Sequence, residues 1–405
     1  MYKKVWNLAD PIVMTLTMIM IGQILLSVPV LLTRAKKSVI SLPLALFLLA
    51  IGILAMLPIV HVQFPNCYQI YSAIAFPSLF VLCPSLWFYV EGVTAEKPWK
   101  LNLKQARHFV LLWPAVLISM MILFMSKDTH TAIFIDDLEV LEPFVIILMV
   151  SLLIMILLWL GQCVYTVFRI TRRLVTYRKQ LKNVFSNNEG KELKWMNWLL
   201  LAAISTWLFS LVTVFTSNLF DNFLFNLRTE SLLSLLLVWS LAYFGLQQKP
   251  GFIDQNDDAS EDVTSLSDNE DSTLNAPTKY KRSALDTEQS KRIANKINDI
   301  MEKDKIYLDS SLTLQKLSNY VAISPNYISQ TLNETLSMNF FDFINKWRIE
   351  TAKPKIIANQ DTVLTVALEV GFNARSSFYK AFKQETGKTP SEFRKQYNST
   401  LKTTN

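Results

Sequence analysis

The sequence predicts an all-α protein in two parts: a seven-helix transmembrane bundle, then a cytoplasmic domain built around two helix-turn-helix motifs. Three observations carry this expectation. Seven long apolar stretches fall in the first 250 residues, the surplus of positive charge lies entirely beyond them, and one helix–turn–helix pattern occurs twice near the end. The composition agrees. Of 405 residues, 51% are hydrophobic and 18% charged, against about a quarter charged in an ordinary globular domain, and the mean hydropathy is +0.25. A wholly disordered or wholly soluble chain is disfavoured from the outset.

The apolar stretches run near Ile12–Leu32, Val39–Val60, Ile70–Val90, Phe109–Met125, Phe144–Tyr165, Trp198–Thr216 and Ser231–Gln247. Crossing about 30 Å of hydrocarbon takes about 20 apolar residues in a helix. Pro29, Pro58, Pro77, Pro84 and Pro114 lie within them, and packed membrane helices tolerate proline that would break a soluble one. One such stretch alone reads equally well as a buried core helix; seven in succession do not. The first is long and lacks a small-residue cleavage site, so no cleaved signal peptide is expected.

Loop charge sets the orientation. The loops after the first, third and fifth stretches hold fifteen Lys and Arg, from Arg34 to Lys194, while the opposite side holds four, Lys3, Lys4, Lys127 and Arg228. The positive-inside rule then places the N-terminus outside and the C-terminal third in the cytoplasm. Ionisable groups are nearly absent from the stretches. Glu91 and Glu230 sit at ends, and Gln23 and Gln162 are the more central polar groups, which argues against a pump or ion-coupled transporter. The acidic outer loop Ser126–Glu142 reads as a cation-binding loop or, more plainly, as a solvated one. Cys67, Cys83 and Cys163 form no disulfide framework, and His61, His108 and His130 are too scattered for a metal site. No cofactor and no metal are expected.

A linker is expected at 251–285. Between Gly251 and Thr278 stand eight Asp and Glu and no Lys or Arg, the composition of a disordered spacer with a span on the order of 30 Å. A sharper alternative is that this acidic run covers a basic reading face in the resting state. Beyond it, residues 279–405 carry 20 basic and 13 acidic residues.

The third part, expected over 286–398 with a short tail 399–405, is helical. Ile293, Ile297, Ile300 and Met301 make an apolar stripe. Thr313–Val321 is a short helix. Ser324 then caps a second, with Pro325 at its first position. A longer helix follows near Met338–Ala358. The pattern then recurs: helix Leu364–Val370, turn Gly371-Phe372-Asn373, helix Ala374–Thr386. Gly371 suits a sharp helix end, and Asn373 is a good N-cap. In such pairs the second helix can enter the major groove of DNA. Asn326 and Arg375, at matching places, are 49 positions apart.

These residues resemble the AraC family of bacterial transcription regulators. ALEVGFNARSSFYKAFKQETGKTPSEFRKQY is similar to that family's signature almost throughout, NFFDFINKWRIETAK to its connecting helix, and IYLDSSLTLQKLS with SPNYISQTLNE to the first motif of a subgroup with an N-terminal membrane domain. The resemblance covers roughly residues 290–397. It implies two recognition helices entering successive major-groove faces, about 34 Å apart on one side of the duplex. It also implies base-facing positions at Arg375, Ser376 and Lys380, with Tyr379 and Lys383 beside them, and at Asn326, Ser329 and Gln330 in the first motif. Arg375 suits a guanine edge and Asn326 or Gln330 an adenine edge. Ser376 is the better fit to backbone positioning, and Lys383 reads equally as such a neighbour of the base-facing residues or as a solvated residue or simple phosphate contact. Phe378, Phe382, Ile328 and Leu332 point to the core. Departures from the pattern are Pro354, which predicts a kink or early end of the connecting helix; Lys355, at a usually apolar position; Gln330, where many members have arginine; and Ser337, where glycine is common. They favour the second motif as the larger contributor to affinity.

The expected function is a one-component regulator of the bacterial inner membrane that binds double-stranded promoter DNA. Its partners would be the lipid bilayer, RNA polymerase, a second copy of the chain as a homodimer, and an unidentified signal ligand sensed by the bundle. The alternative is a polytopic membrane receptor or transport-related protein whose cytoplasmic domain binds a protein partner. An enzyme is disfavoured, since no phosphate loop, metal cluster or nucleophile–base pair is present. A histidine kinase is excluded because no histidine follows His130.

Overall fold

The computed structural model describes residues 10–36, 38–96, 99–100, 102–134, 142–217, 227–248, 252 and 286–403. The acidic run from Asp254 to Asp271 lies outside these residues, as do Asp136, Asp137 and Glu139 of the outer loop and Lys3, Lys4, Lys37 and Lys97. Described regular structure is helical, with one isolated antiparallel bridge between Phe185 and Thr313. The chain forms two compact units, one of Met1–Leu174 with Leu193–Ile253, the other of Val175–Glu192 with Asp254–Asn405.

The first unit contains α1 (Pro11–Ala35), α2 (Ser41–Ala55), α3 (Leu57–Gln63), α4 (Tyr68–Val93), α5 (Leu112–Phe124), α6 (Lys127–Phe134), the apolar part of α7 (Pro143–Val184), α8 (Lys194–Ser217) and α9 (Leu227–Gln247). Contacts between helix ends fix their directions. Asp10 caps α1 by accepting from Ile12 N at 2.9 Å and pairs with Arg228 at the start of α9, while Arg34 at the end of α1 donates to the Leu246 carbonyl near the end of α9. So α1 and α9 run parallel. Tyr71 of α4 donates to Leu54 O of α2 at 3.0 Å, and Gln69 of α4 donates to Ile122 O and Met125 O of the α5 end at 3.0 and 2.8 Å; both neighbours run against α4. α7 runs with it. Trp159 donates to Leu79 O (2.9 Å), Cys163 Sγ lies 3.3 Å from Cys83 Sγ, Arg169 covers the Trp87 ring at 3.8 Å, and Arg173 donates to Thr94 Oγ1 at 2.9 Å. Trp195 at the start of α8 stacks on Phe244 and donates to Gln248 Oε1 at 3.0 Å, so α8 opposes α9.

Five helical stretches among the described residues are long and apolar enough to cross a membrane: Pro11–Ala35, Ser41–Gln63, Pro65–Val93, Pro143–Val184 and Leu227–Gln247. Counting the bent pair α5–α6 as one span makes six. The fourth expected stretch differs from its prediction for a clear reason. Its helix has 13 residues, and the chain then bends by 112° into α6. That is short of the roughly 20 residues of a straight crossing. The sixth expected stretch lies in α8, whose side chains at Trp207 and from Ser210 onward are outside the described residues. Large apolar side chains such as Leu25, Leu26, Ile147, Leu153 and Leu157 are exposed in this unit, a density of apolar surface that water does not favour.

In the second unit, α10 (Thr287–Asp304) precedes a helix pair α11 (Leu314–Val321) and α12 (Pro325–Gln330), which runs on through one π turn at Thr331–Thr335. The connecting helix α13 (Phe340–Ala358), a second pair α14 (Val363–Glu369) and α15 (Arg375–Thr386), and α16 (Pro390–Thr403) complete it. Capping follows the sequence. Thr313 accepts from Lys316 N at 3.1 Å, Ser324 from Tyr327 N at 3.4 Å, and Asn339 from Asp342 N at 2.9 Å. α13 serves two cores. Phe340, Phe343 and Ile344 pack with Ile297, Leu317, Ile328 and Leu332, whereas Ile349, Ala352 and Ile356 pack with Val366, Phe372, Phe378 and Phe382. The four residues assigned to the core from sequence, Ile328, Leu332, Phe378 and Phe382, are all fully buried.

Two expectations are corrected. Pro354 does not end α13, which continues four residues further to Ala358. Pro354 is exposed while Ala352 and Ile356 are buried, so the lost N–H lies on the solvent side and core packing carries the helix past it. The N-cap of α15 is Ala374, not Asn373, and no side chain caps it. The turn is thus one residue longer than expected, and the first amides of α15 keep no cap from their own chain segment. The other departures find places. Lys355 pairs with Glu369 of α14 at 2.5 Å, and Ser337 adopts φ 54°, the left-handed conformation that glycine takes most easily. Gly371 has φ +92°, and a Cβ there would stand 2.7 Å from the Leu308 carbonyl oxygen. Gly371→Ala is expected to destabilise the second unit by about 1–3 kcal/mol, read as a lower urea midpoint for exposure of its amides to hydrogen exchange.

Candidate nucleic-acid interface

The second helix of each pair presents one polar face. On α15, Arg375, Ser376, Lys380 and Lys383 are exposed and Tyr379 is half-buried. They occur at i, i+1, i+4, i+5 and i+8, the spacing of one helical face. Phe378, Ala381 and Phe382 occupy the opposite face and are buried. On α12, Asn326 is exposed, Ser329 and Gln330 are half-buried, and Ile328 holds the inner side. All eight residues expected to read DNA therefore lie on two outward faces, none of them in a core.

Ser376 donates to Glu189 at 3.3 Å, and the other partners described on these faces are local. Arg375 donates to Tyr379 Oη at 2.8 Å and lies 4.9 Å over that ring. Gln330 donates to Glu334 at 2.9 Å, and the Ser329 carbonyl accepts from Asn333 at 2.8 Å. Such exposed contacts are weak and are readily exchanged for base edges or phosphates.

A buried residue that ties the segment before the first pair to the turn of the second was missed from sequence. Arg348, in the middle of α13, is fully buried. Its Nε donates to Tyr307 O (2.7 Å) before the first pair, and an Nη to Asp309 O (2.8 Å); its guanidinium stacks over Phe372 in the turn of the second pair at 5.5 Å. Further bonds at 3.3 Å reach Ser186 O and Ser186 Oγ. Burial pushes the guanidinium down to about 10, an effect opposed by the Asp309 carboxylate, so it stays charged near neutral pH. Burial alone would raise Asp309, but bonds from Ser311 and the charges of Lys316 and Arg348 hold it below the ordinary carboxylate value. A signal for Arg348 did exist in the sequence. Phe340, Ile344, Arg348, Ala352 and Ile356 follow one another at i+4, so the arginine sits in phase with an apolar stripe.

Residues 317–396 match the family model described as a helix-turn-helix domain. An uncharacterised HTH-type transcriptional regulator of Staphylococcus aureus (strain COL) is 33% identical over 100 residues, covering 25% of this chain and 13% of that protein. YijO of Escherichia coli (strain K12), likewise named an uncharacterised HTH-type transcriptional regulator, is 32% identical over 112 residues, covering 27% of this chain and 40% of its own. This chain thus spans well under half the length of either relative. Among solved structures, the C-terminal domain of AraT, a response regulator from Geobacillus stearothermophilus, is 25% identical with a TM-score of 0.24, over 26% of this chain and 84% of that one. The C-terminal domain of the two-component response regulator yesN from Fusobacterium nucleatum is 28% identical with a TM-score of 0.23, over 25% and 98%. On the family match, residues 317–396 form a helix-turn-helix domain.

Proposed function

We propose that this chain is a membrane-bound one-component transcription regulator. It binds promoter DNA through two helix-turn-helix motifs, α11–α12 and α14–α15, and the signal is sensed in a seven-crossing membrane bundle. The observation that carries the reading is the pair of outward polar faces, Asn326/Ser329/Gln330 and Arg375/Ser376/Lys380, mounted on the two ends of one connecting helix. Two such faces suit successive major-groove faces of one duplex.

The helix directions support the membrane part. α1 and α9 run parallel, which requires an odd number of crossings between outside and inside. Taken in chain order as α1, α2, α4, α5, α7, α8 and α9, with the bent α5–α6 pair as the fourth, these directions fit seven alternating crossings. Thr94, His108, Arg169 and Arg173 lie together at one end, as expected if the basic loops share the cytoplasmic side. A cavity of about 430 Å³ within the bundle, lined by Phe47, Leu86, Trp159 and Leu200 among others, is of the size that takes a small apolar signal molecule. A signal acts only if it binds two states of the bundle unequally, and pairing of two copies at adjacent half-sites is the simplest output. RNA polymerase is then the downstream partner.

The chain's own cysteines test the orientation. Cys67 is exposed in the turn before α4, on the expected outer side, while Cys83 and Cys163 are buried. A membrane-impermeant maleimide should label intact spheroplasts at Cys67, and Cys67→Ser should abolish the signal. Labelling only after lysis contradicts the proposed orientation.

A further inference from the structure

A short loop reaches the reading face of the second pair. The last turns of α7 and the loop Phe185–Glu192 belong to the second unit. Phe185 is 3% exposed and bridges to Thr313; Ser186 is 1% exposed, and both its N–H and its hydroxyl donate to Leu312 O, at 3.2 and 2.6 Å. Arg348 adds its two bonds to Ser186 from below. The loop is thus a built part of the domain. It then turns, with Glu189 N donating to Asn187 Oδ1 at 3.0 Å and Gly190 at φ +75°. The turn delivers the Glu189 carboxylate to the start of α15, where Oε1 accepts from Ser376 Oγ and Ser377 Oγ, each at 3.3 Å.

From this we infer that the Phe185–Glu192 loop is an internal ligand of the DNA-reading face, its Glu189 carboxylate occupying the place a DNA phosphate takes at the start of α15. The inference rests on the DNA-binding reading above and adds its regulation. Three facts support it. The start of α15 has no side-chain cap, and an uncapped helix start attracts anions through its free N–H groups and dipole. Ser376 is one of the residues expected to face DNA, so carboxylate and phosphate cannot hold its hydroxyl together. The docked loop also carries a cost: Asn188 is 3% exposed, and neither polar atom of its side chain has a hydrogen-bond partner among the described residues. A buried amide left in that state opposes docking, which keeps the docked and released loops close enough in free energy for a switch. The loop continues directly from α7, so movement of that helix would change how often the loop is docked, and with it the fraction of molecules able to bind.

The test uses the full chain in lipid nanodiscs and a duplex selected by it from a random pool, with binding measured for wild type, Glu189→Gln and Glu189→Asp at one salt concentration. Glu189 is exposed, so neither change threatens folding. Both variants are expected to bind roughly 3–10-fold tighter than wild type, because Gln loses the charge and Asp is too short to reach the serines. Unchanged affinity in both overturns the inference. A gain for Gln with none for Asp also overturns it, since that pattern reports long-range repulsion between charge and DNA rather than an occupied site. Failure of all three proteins to bind any duplex removes the DNA-binding reading itself, and the inference with it.

Discussion

Arg348→Ala is expected to cost the second unit about 3–5 kcal/mol, the range for removing one member of a buried, hydrogen-bonded polar cluster. The deletion leaves the Tyr307 carbonyl without the Arg348 donor, leaves the Asp309 carbonyl only its bond from Leu312 N, and opens a gap under Phe372. Arg348→Lys should recover only part of the loss, because an ammonium cannot span carbonyls in a fixed fork. Hydrogen exchange along α13 in the full chain reads this out, and protection equal to wild type in the alanine variant would remove Arg348 from its proposed place. A second consequence distinguishes it from an ordinary core residue. Arg348 ties the segment before the first pair to the turn of the second, so the lysine variant should bind DNA less well even where it is folded.

Arg375→Ala is expected to weaken DNA binding by about 1–3 kcal/mol and to relax discrimination at one base pair. Arg375 is held on Tyr379, so reading a guanine requires leaving that ring. Tyr379→Phe, which frees the hydrogen bond but keeps the stack, should then have a much smaller effect. Lys383→Ala makes a contrast: as a phosphate contact it should weaken all sequences alike and lower the salt dependence by about one unit. Equal loss across sequences for Arg375→Ala would reassign it to a phosphate.

Much of this was legible in the residues. The Ser324 cap with Pro325 behind it, and Gly371 at its helix end, obey local rules and stand where the rules place them; the Thr313 and Asn339 caps fall at positions that the sequence pattern places inside a helix. The eight candidate reading residues reach the surface because Ile328, Leu332, Phe378 and Phe382 claim the core on the other side. Local rules failed where tertiary contacts decided. The helix passes Pro354 because Ala352 and Ile356 anchor it. Asn373 yields the cap to Ala374 because Phe372 is drawn into the core under Arg348. The Phe185–Glu192 loop had no periodicity to announce it, and its partners Leu312, Arg348 and Ser376 lie far along the chain. Among the spans, hydropathy found the apolar stretches but could not foresee that the fourth bends after 13 helical residues.

The central claim is that one polypeptide reads duplex DNA with two helix faces fixed on a single connecting helix. Selection of duplexes from a random pool by the full chain in nanodiscs tests it most directly. The expected result is enrichment of two short conserved blocks with centres about 10–10.5 base pairs apart, with Arg375→Ala degrading one block and Asn326→Ala the other. Recovery of no sequence above the starting pool at low salt would contradict the claim, as would a single block that both substitutions degrade equally.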